Sequence, residues 1–173
     1  MTPARCVIDT NVAVVANRRD EAEDAECAVR CGRALYRVMQ RGHVFVDEAG
    51  AIVDEYRRNL TLPGEPSPGN AFLKWLLTHE WNPAKVTRVR LTPKPSDPED
   101  YEELPEPPPG VRYDPADRKF LAVAAAHAEH PPILQALDSK WWGWRDALAA
   151  VGVSICFVCQ PEIARKFEEK MGA

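Results

Sequence analysis

At 173 residues, with 45% hydrophobic and 28% charged side chains, the chain has the size and composition of one globular domain with its own core. A formal net charge of -4 argues against a protein that binds nucleic acid by bulk charge, and leaves only a local basic groove open. No apolar run approaches the roughly 18 residues of a membrane span and no signal-peptide core opens the chain, so the expected compartment is the cytoplasm.

The first element is "RCVID" (5–9), too short and too uniformly apolar for an amphipathic helix, and it reads as a buried strand. It runs into an aspartate just where a helix begins. Residues 22–41 place Ala25, Ala28, Val29, Leu35, Val38 and Met39 near helical spacing, and Gly42 stops them. A second strand follows at 43–46, and Asp47 has the character of an N-cap for a helix reaching Leu60. The chain then turns through "LPGEPSPG", forms a short helix over "NAFLKWLLTHEW", and alternates like a strand over 85–91.

Residues 93–110, "PKPSDPEDYEELPEPPPG", break every periodicity, and prolines and acids dominate there. The expectation is an irregular, partly mobile excursion. Beyond it Asp114 and Pro115 stand in cap-then-proline order before "ADRKFLAVAAAHAEH", which predicts a helix. A strand at 132–137, a helix over "SKWWGWRDALAAVG", a strand at 153–158 and a closing helix from Pro161 to Met171 complete the chain. Strands alternating with helices imply a three-layer α/β/α domain over 1–173 with a mainly parallel sheet, the 93–110 segment being an insertion.

Five cysteines without a secretion signal point to reduced thiols rather than a disulfide framework. Cys27, Cys31, Cys156 and Cys159 have spacings that could offer four thiolates to zinc. However, Cys156 falls in a strand and Cys27 and Cys31 in a helix, so small buried hydrophobes are the simpler reading.

In an open parallel sheet, ligands bind outside the carboxyl ends of the strands. Asp9 ends the first strand, Asp138 ends the strand "ILQAL", Asp117 opens the helix after the insertion, and Glu55 lies two turns into the helix after the second strand. All four can therefore meet at one sheet edge. Four acids in one cleft repel unless a cation neutralises them, and all-oxygen ligands suit Mg²⁺ or Mn²⁺ rather than zinc. Such a centre activates water and offsets the charge gathering on a phosphodiester.

The segments "VIDTNV", "VDEYRRNL", "DRKFLAVAAA" and "LDSKWW", followed by "GVSICFV", resemble the PIN domain, a family of metal-dependent ribonucleases that includes VapC-type toxins. Asp9 with Asn11 matches the family's strand-end Asp-x-Asn, and Glu55 its helical glutamate. Asp117 with Ala122 and Ala124 matches its third element, and Asp138 with Trp141 its fourth. The resemblance spans the chain outside roughly 61–112. It implies a Mg²⁺- or Mn²⁺-dependent endoribonuclease, a toxin or defence effector, with Asp9, Glu55, Asp117 and Asp138 as catalytic metal ligands and Asn11 orienting Asp9. It also implies an RNA substrate, an inhibitory antitoxin-like partner protein and a homodimer.

Each acid alone has a simpler role, as a helix cap or a solvated helix residue. Two rivals follow: a silent PIN-like binding or scaffold module, and a haloacid-dehalogenase-like phosphatase. The phosphatase needs a second aspartate two residues after the first, where Asn11 stands. Arg57, Arg58, Arg88, Arg90 and Lys140 are candidate phosphate contacts, and at least one of Trp141, Trp142 and Trp144 belongs to the core. As for the insertion, a tolerated surface segment is the simplest reading. A sharper one has Asp97, Glu99, Asp100, Glu102, Glu103 and Glu106 gating the cleft in imitation of a phosphate backbone.

Overall fold

The computed structural model of the protein describes residues 1–18, 25–62 and 66–172. Five short strands form a parallel sheet: β1 (Arg5–Ile8), β2 (His43–Asp47), β3 (Val86–Val89), β6 (Ile133–Gln135) and β7 (Ile155–Phe157). Their order is β3-β2-β1-β6-β7. The helices α1 (Thr10–Ala16), α2 (Ala25–Arg41), α3 (Ala51–Asn59), α4 (Pro68–His79), α5 (Arg118–Ala126), α6 (Ser139–Ala150) and α7 (Gln160–Met171) flank it, so the molecule is the three-layer α/β sandwich that the alternation of elements implied. The residues 22–24 of the expected second helix and part of the "LPGEPSPG" turn lie outside the described residues.

Strand length and apolarity have the same cause. β2 is buried at every position and β1 at all but its first, because helices cover both faces of a parallel sheet. Val44, Phe45 and Val46 are fully buried, and each such side chain contributes about 1.5–3 kcal/mol. The chain steps outward from β1 to β2 to β3, then returns across the sheet through α5 to place β6 on the other side of β1. The direction of winding therefore reverses between β1 and β6. A crevice opens at such a reversal, outside the carboxyl ends of the strands.

Two helix starts differ from expectation. α3 begins at Ala51, after Gly50 in the left-handed region with φ 92°, a conformation a side chain would strain. Asp47 still caps the helix from a distance, because its two carboxylate oxygens accept from the Ala51 and Ile52 amides at 2.8 Å each. The helix expected to open at Asp114 starts only at Arg118, with Asp117 preceding it.

The 93–110 segment is regular in its first half, while residues 102–110 form no helix or strand, as expected. Pro93–Lys94 (β4) and Asp97–Tyr101 (β5) pair antiparallel as a small separate sheet, and β5 packs against α5. Three of its acids serve as its fasteners. Asp97 pairs with Arg118 at 2.8 Å, Asp100 with Lys94 at 2.9 Å, and Glu103 accepts from the Thr92 amide and hydroxyl. The prolines that obscured it in the sequence are tolerated because a two-stranded sheet consists only of edges.

The cysteines also depart from expectation. Cys27 of α2 and Cys159, just before α7, are joined as a disulfide. Cys31 remains a thiol beside it, and burial pushes that thiol up to about 12. Cys156, which the four-thiolate reading required, lies elsewhere, with its sulfur 4.0 Å from the Met1 carbonyl.

Candidate active site

Asp9, Asp117 and Asp138 each stand immediately before a helix, α1, α5 and α6 respectively. β1 and β6 hand the chain almost directly to α1 and α6, while α5 begins after the loop 102–117, and the three helix N-termini carry acids that sense one another. The partial positive charge of a helix N-terminus favours carboxylates there. Asp9 accepts from the Asn11 amide at 2.8 Å and Asp138 from the Lys140 amide at 3.3 Å. Asp117 makes no capping bond, which leaves its carboxylate for other partners.

Glu55 arrives from α3 by a different route. Tyr56 beside it is fully buried and donates its hydroxyl hydrogen bond to the Ile8 carbonyl, the last of β1. That bond fastens α3 to the strand end that carries Asp9. Thr10, 5% exposed, then donates its hydroxyl to Glu55 Oε1 at 2.6 Å. Asn11 acts through two groups: its backbone amide holds Asp9, while its side-chain oxygen accepts from the Ala136 amide at 3.1 Å and ties α1 to the end of β6. Its side chain orients the crevice walls rather than the Asp9 carboxylate itself.

Burial pushes Asp9 up from its ordinary 3.8 to about 7, against the Asn11 amide that lowers it, and the charges of Asp117, Glu55 and Asp138 add to the rise. Burial likewise raises Asp117, opposed by Lys140, with Asp138 and Asp114 adding to the rise. The four acids named from the sequence thus share one electrostatic environment although they come from four distant segments.

Two lysines meet this negative charge. The Lys140 ammonium lies 2.7 Å from Asp117, 3.3 Å from Asp138 and 3.9 Å from Asp114. Lys119, 8% exposed, pairs with Glu55 and also donates to the Ala116 carbonyl. The sequence offered Lys140 as a phosphate contact, and here it is the counter-ion of the acids. Lys119 and Thr10 were not singled out at all. The signal for Lys119 was its place, beside Arg118, at the start of a helix whose remaining residues are all apolar, where a buried lysine needs a partner.

The other expected phosphate contacts do not gather here. Arg88 pairs with Glu80 at 3.2 Å, donates to the Glu48 carbonyl and lies over the Trp81 ring. Arg57 and Arg90 are exposed, and Arg58 lines a cavity of about 270 Å³ with Asp54, Glu99, Pro115 and Lys119. Trp141 is the core member of its cluster, while Trp142 packs on Phe157 under Arg145.

No family model, curated protein or solved structure matches this chain. The chemistry of the crevice must be argued from its own donors. They are all carboxylate oxygens, and a cation already stands among three of them. Among the described residues no three of these acids bring ligand atoms within 4.8 Å of one another; Cys27, Cys31 and Cys159 alone do. Asp117, Asp138 and Asp114 surround the Lys140 ammonium, while Glu55 pairs with Lys119. An oxygen-only set that accommodates a cation fits a hard divalent ion.

Proposed function

We propose that the protein is a metal-dependent endoribonuclease of the PIN type. Asp9, Glu55, Asp117 and Asp138 would hold Mg²⁺ or Mn²⁺. The ion, when bound, supplies an activated water and offsets charge on the scissile phosphodiester. The observation that carries this reading is the arrival of four carboxylates, from four separate segments, at the carboxyl edge of the sheet where the winding reverses.

The chain's own groups divide the work. Thr10 fixes one Glu55 oxygen and leaves the other to Lys119. Asn11 holds the β1 and β6 ends at constant separation. Lys140, once its place among the acids is taken, has its ammonium free for a phosphate oxygen a few ångströms away. The antitoxin-like partner, the homodimer and the cytoplasmic location rest on the PIN resemblance and on the composition; among the described residues, no helix is long and apolar enough to cross a membrane.

The second reading, a silent binding module, is favoured by the same two lysines, since they already balance the acids. One assay separates the two readings. The purified protein is incubated with labelled single-stranded RNA in Mg²⁺, Mn²⁺ or EDTA, beside Asp9→Asn. Cleavage that needs the ion and is lost in the variant supports the nuclease. Absence of cleavage in every ion, with metal binding retained by calorimetry, supports the silent module.

A further inference from the structure

Cys27 and Cys31 are one turn apart on α2, so both sulfurs lie on the same helix face. Cys159 stands immediately before α7 and makes no side-chain capping bond. The three are fully or almost fully buried, and among the described residues they are the one group of possible metal ligands with all its donor atoms within 4.8 Å of one another. Cys31 Sγ is 4.0 Å from Cys27 Sγ and 3.8 Å from Cys159 Sγ.

We propose that, in the reduced protein, Cys27, Cys31 and Cys159 are the thiolate ligands of a structural zinc site that joins α2 to the start of α7. Sulfurs around a tetrahedral zinc, with Zn–S of about 2.3 Å, stand roughly 3.8 Å apart. The two separations involving Cys31, 3.8 and 4.0 Å, are already close to that value. The third closes only because Cys27 and Cys159 are bonded to each other.

A role for Cys31 in disulfide exchange fits less well. Exchange proceeds by attack along the axis of the existing bond. Cys31 stands nearly equidistant from both sulfurs, beside the bond rather than at its end. Three sulfurs around one point is the geometry of a shared ligand.

The surroundings suit a thiolate centre. Cys159 sits at the positive end of α7, which favours its ionised form. Arg30, between the two cysteines of α2, pairs with Glu162 in the first turn of α7, so the same two helices are joined a second time. Glu162 Oε2 is buried without a hydrogen-bond partner and its charge reaches Cys31, but it stands outside the 4.8 Å group, so the chain supplies three ligands and the fourth position falls to water. Soft sulfur donors select zinc over Mg²⁺, so this site and the carboxylate crevice would not compete for one ion.

The conversion is balanced. A dithiol reductant gives up two electrons and two protons, becoming a cyclic disulfide, and the Cys27–Cys159 bond opens to two thiols. Zinc then binds as the three thiols release their protons to solvent.

The test is a titration of the whole chain, reduced with a dithiol, cleared of metal and transferred to oxygen-free buffer. Co²⁺ is the probe, because its near-ultraviolet charge-transfer band reports sulfur ligation and is silent for carboxylates. The expected result is a band saturating at one equivalent, bleached by one equivalent of Zn²⁺. It should be absent from the oxidised protein and unaffected by Cys156→Ser. Cys31→Ala, which keeps the site small and apolar for folding, should weaken Zn²⁺ binding by roughly 100-fold or more. A reduced protein with no such band would overturn the site. So would a Cys31→Ala variant, folded by circular dichroism, with the wild-type band and affinity.

Discussion

The Lys140 ammonium lies 2.7 Å from Asp117 and 3.3 Å from Asp138, and supplies the positive charge between these two acids. Lys140 is the second residue of α6, two positions after Asp138, so one helix start supplies both an acid and the cation that offsets it. Lys140 holds Asp117 and Asp138 together, and a divalent ion bound as proposed would have to displace it. Replacing it with methionine, which keeps the stem and removes the charge, is expected to raise Mg²⁺ affinity several-fold. The same change should lower the melting temperature in EDTA by a few degrees, as the acids lose their counter-ion. Calorimetry and thermal melts measure both. An unchanged Mg²⁺ affinity would mean that Lys140 and the ion do not share a place.

Asp9 predicts a pH dependence of the metal-free protein. Its acid is raised from 3.8 to about 7 by burial, with neighbouring carboxylates adding. Below pH 4 it is protonated in the folded and unfolded chains alike, and no stability is lost. As the pH rises from about 4 to 7, the unfolded chain releases this proton more readily than the folded one, so stability falls, and it stays low above pH 7. The rise is worth on the order of 4 kcal/mol. Asp9→Asn keeps a residue that accepts the Asn11 amide and removes the titration. Urea unfolding in EDTA should find the variant equal to wild type at pH 4 and more stable at pH 8. Saturating Mg²⁺ at pH 8 should stabilise only the wild type. A variant less stable than wild type at pH 8 in EDTA would place the Asp9 charge among the stabilising groups of the metal-free fold.

Much of this crevice was legible in the sequence because strand ends are. A buried run such as "RCVI" stops at the first carboxylate, and a parallel sheet puts all such stops on one edge. The acids at 9 and 138 could therefore be named before their distances were known, whereas Asp117 and Glu55 follow from their places on helices and from the PIN resemblance. The lysines could not, because a lysine on a helix reads as solvated until the partner element is in place. The hairpin at 93–101 was hidden by its prolines and by acids that pair with Arg118, outside its own segment, and with Lys94 within it. The Cys27–Cys159 contact joins residues 132 positions apart, and no local pattern marks such a pair.

Thr10 offers the most conservative probe of the crevice. Its hydroxyl donates to Glu55 at 2.6 Å, and valine has nearly the same shape without the donor. A hydrogen bond to a charged acceptor in a mostly buried setting is worth about 1.5–3 kcal/mol. Thr10→Val should lower the unfolding free energy by about that amount in EDTA. It should also weaken Mg²⁺ binding, because Glu55 gains rotational freedom. Denaturant unfolding showing a change under about 0.5 kcal/mol would mean that Lys119 alone fixes Glu55.

The hairpin poses a choice between fastener and gate, and the Arg118–Asp97 pair can decide it. Arg118 is the first residue of α5, next to Asp117, and its guanidinium reaches Asp97 at 2.8 Å. If the acids of 93–110 gate the crevice, releasing the hairpin should change RNA cleavage. If they fasten the hairpin, releasing it should loosen only the hairpin. The partners observed for Asp97, Asp100 and Glu103 favour the second outcome. Arg118→Ala is therefore expected to speed amide exchange several-fold at Glu102, whose amide is bonded to the Thr92 carbonyl, while exchange in β1 and β6 is unchanged. Cleavage and Mg²⁺ affinity should stay within about twofold of wild type, since the half-exposed pair contributes little to stability. A large gain in cleavage without added exchange at Glu102 would reverse the assignment and make the acidic segment a gate.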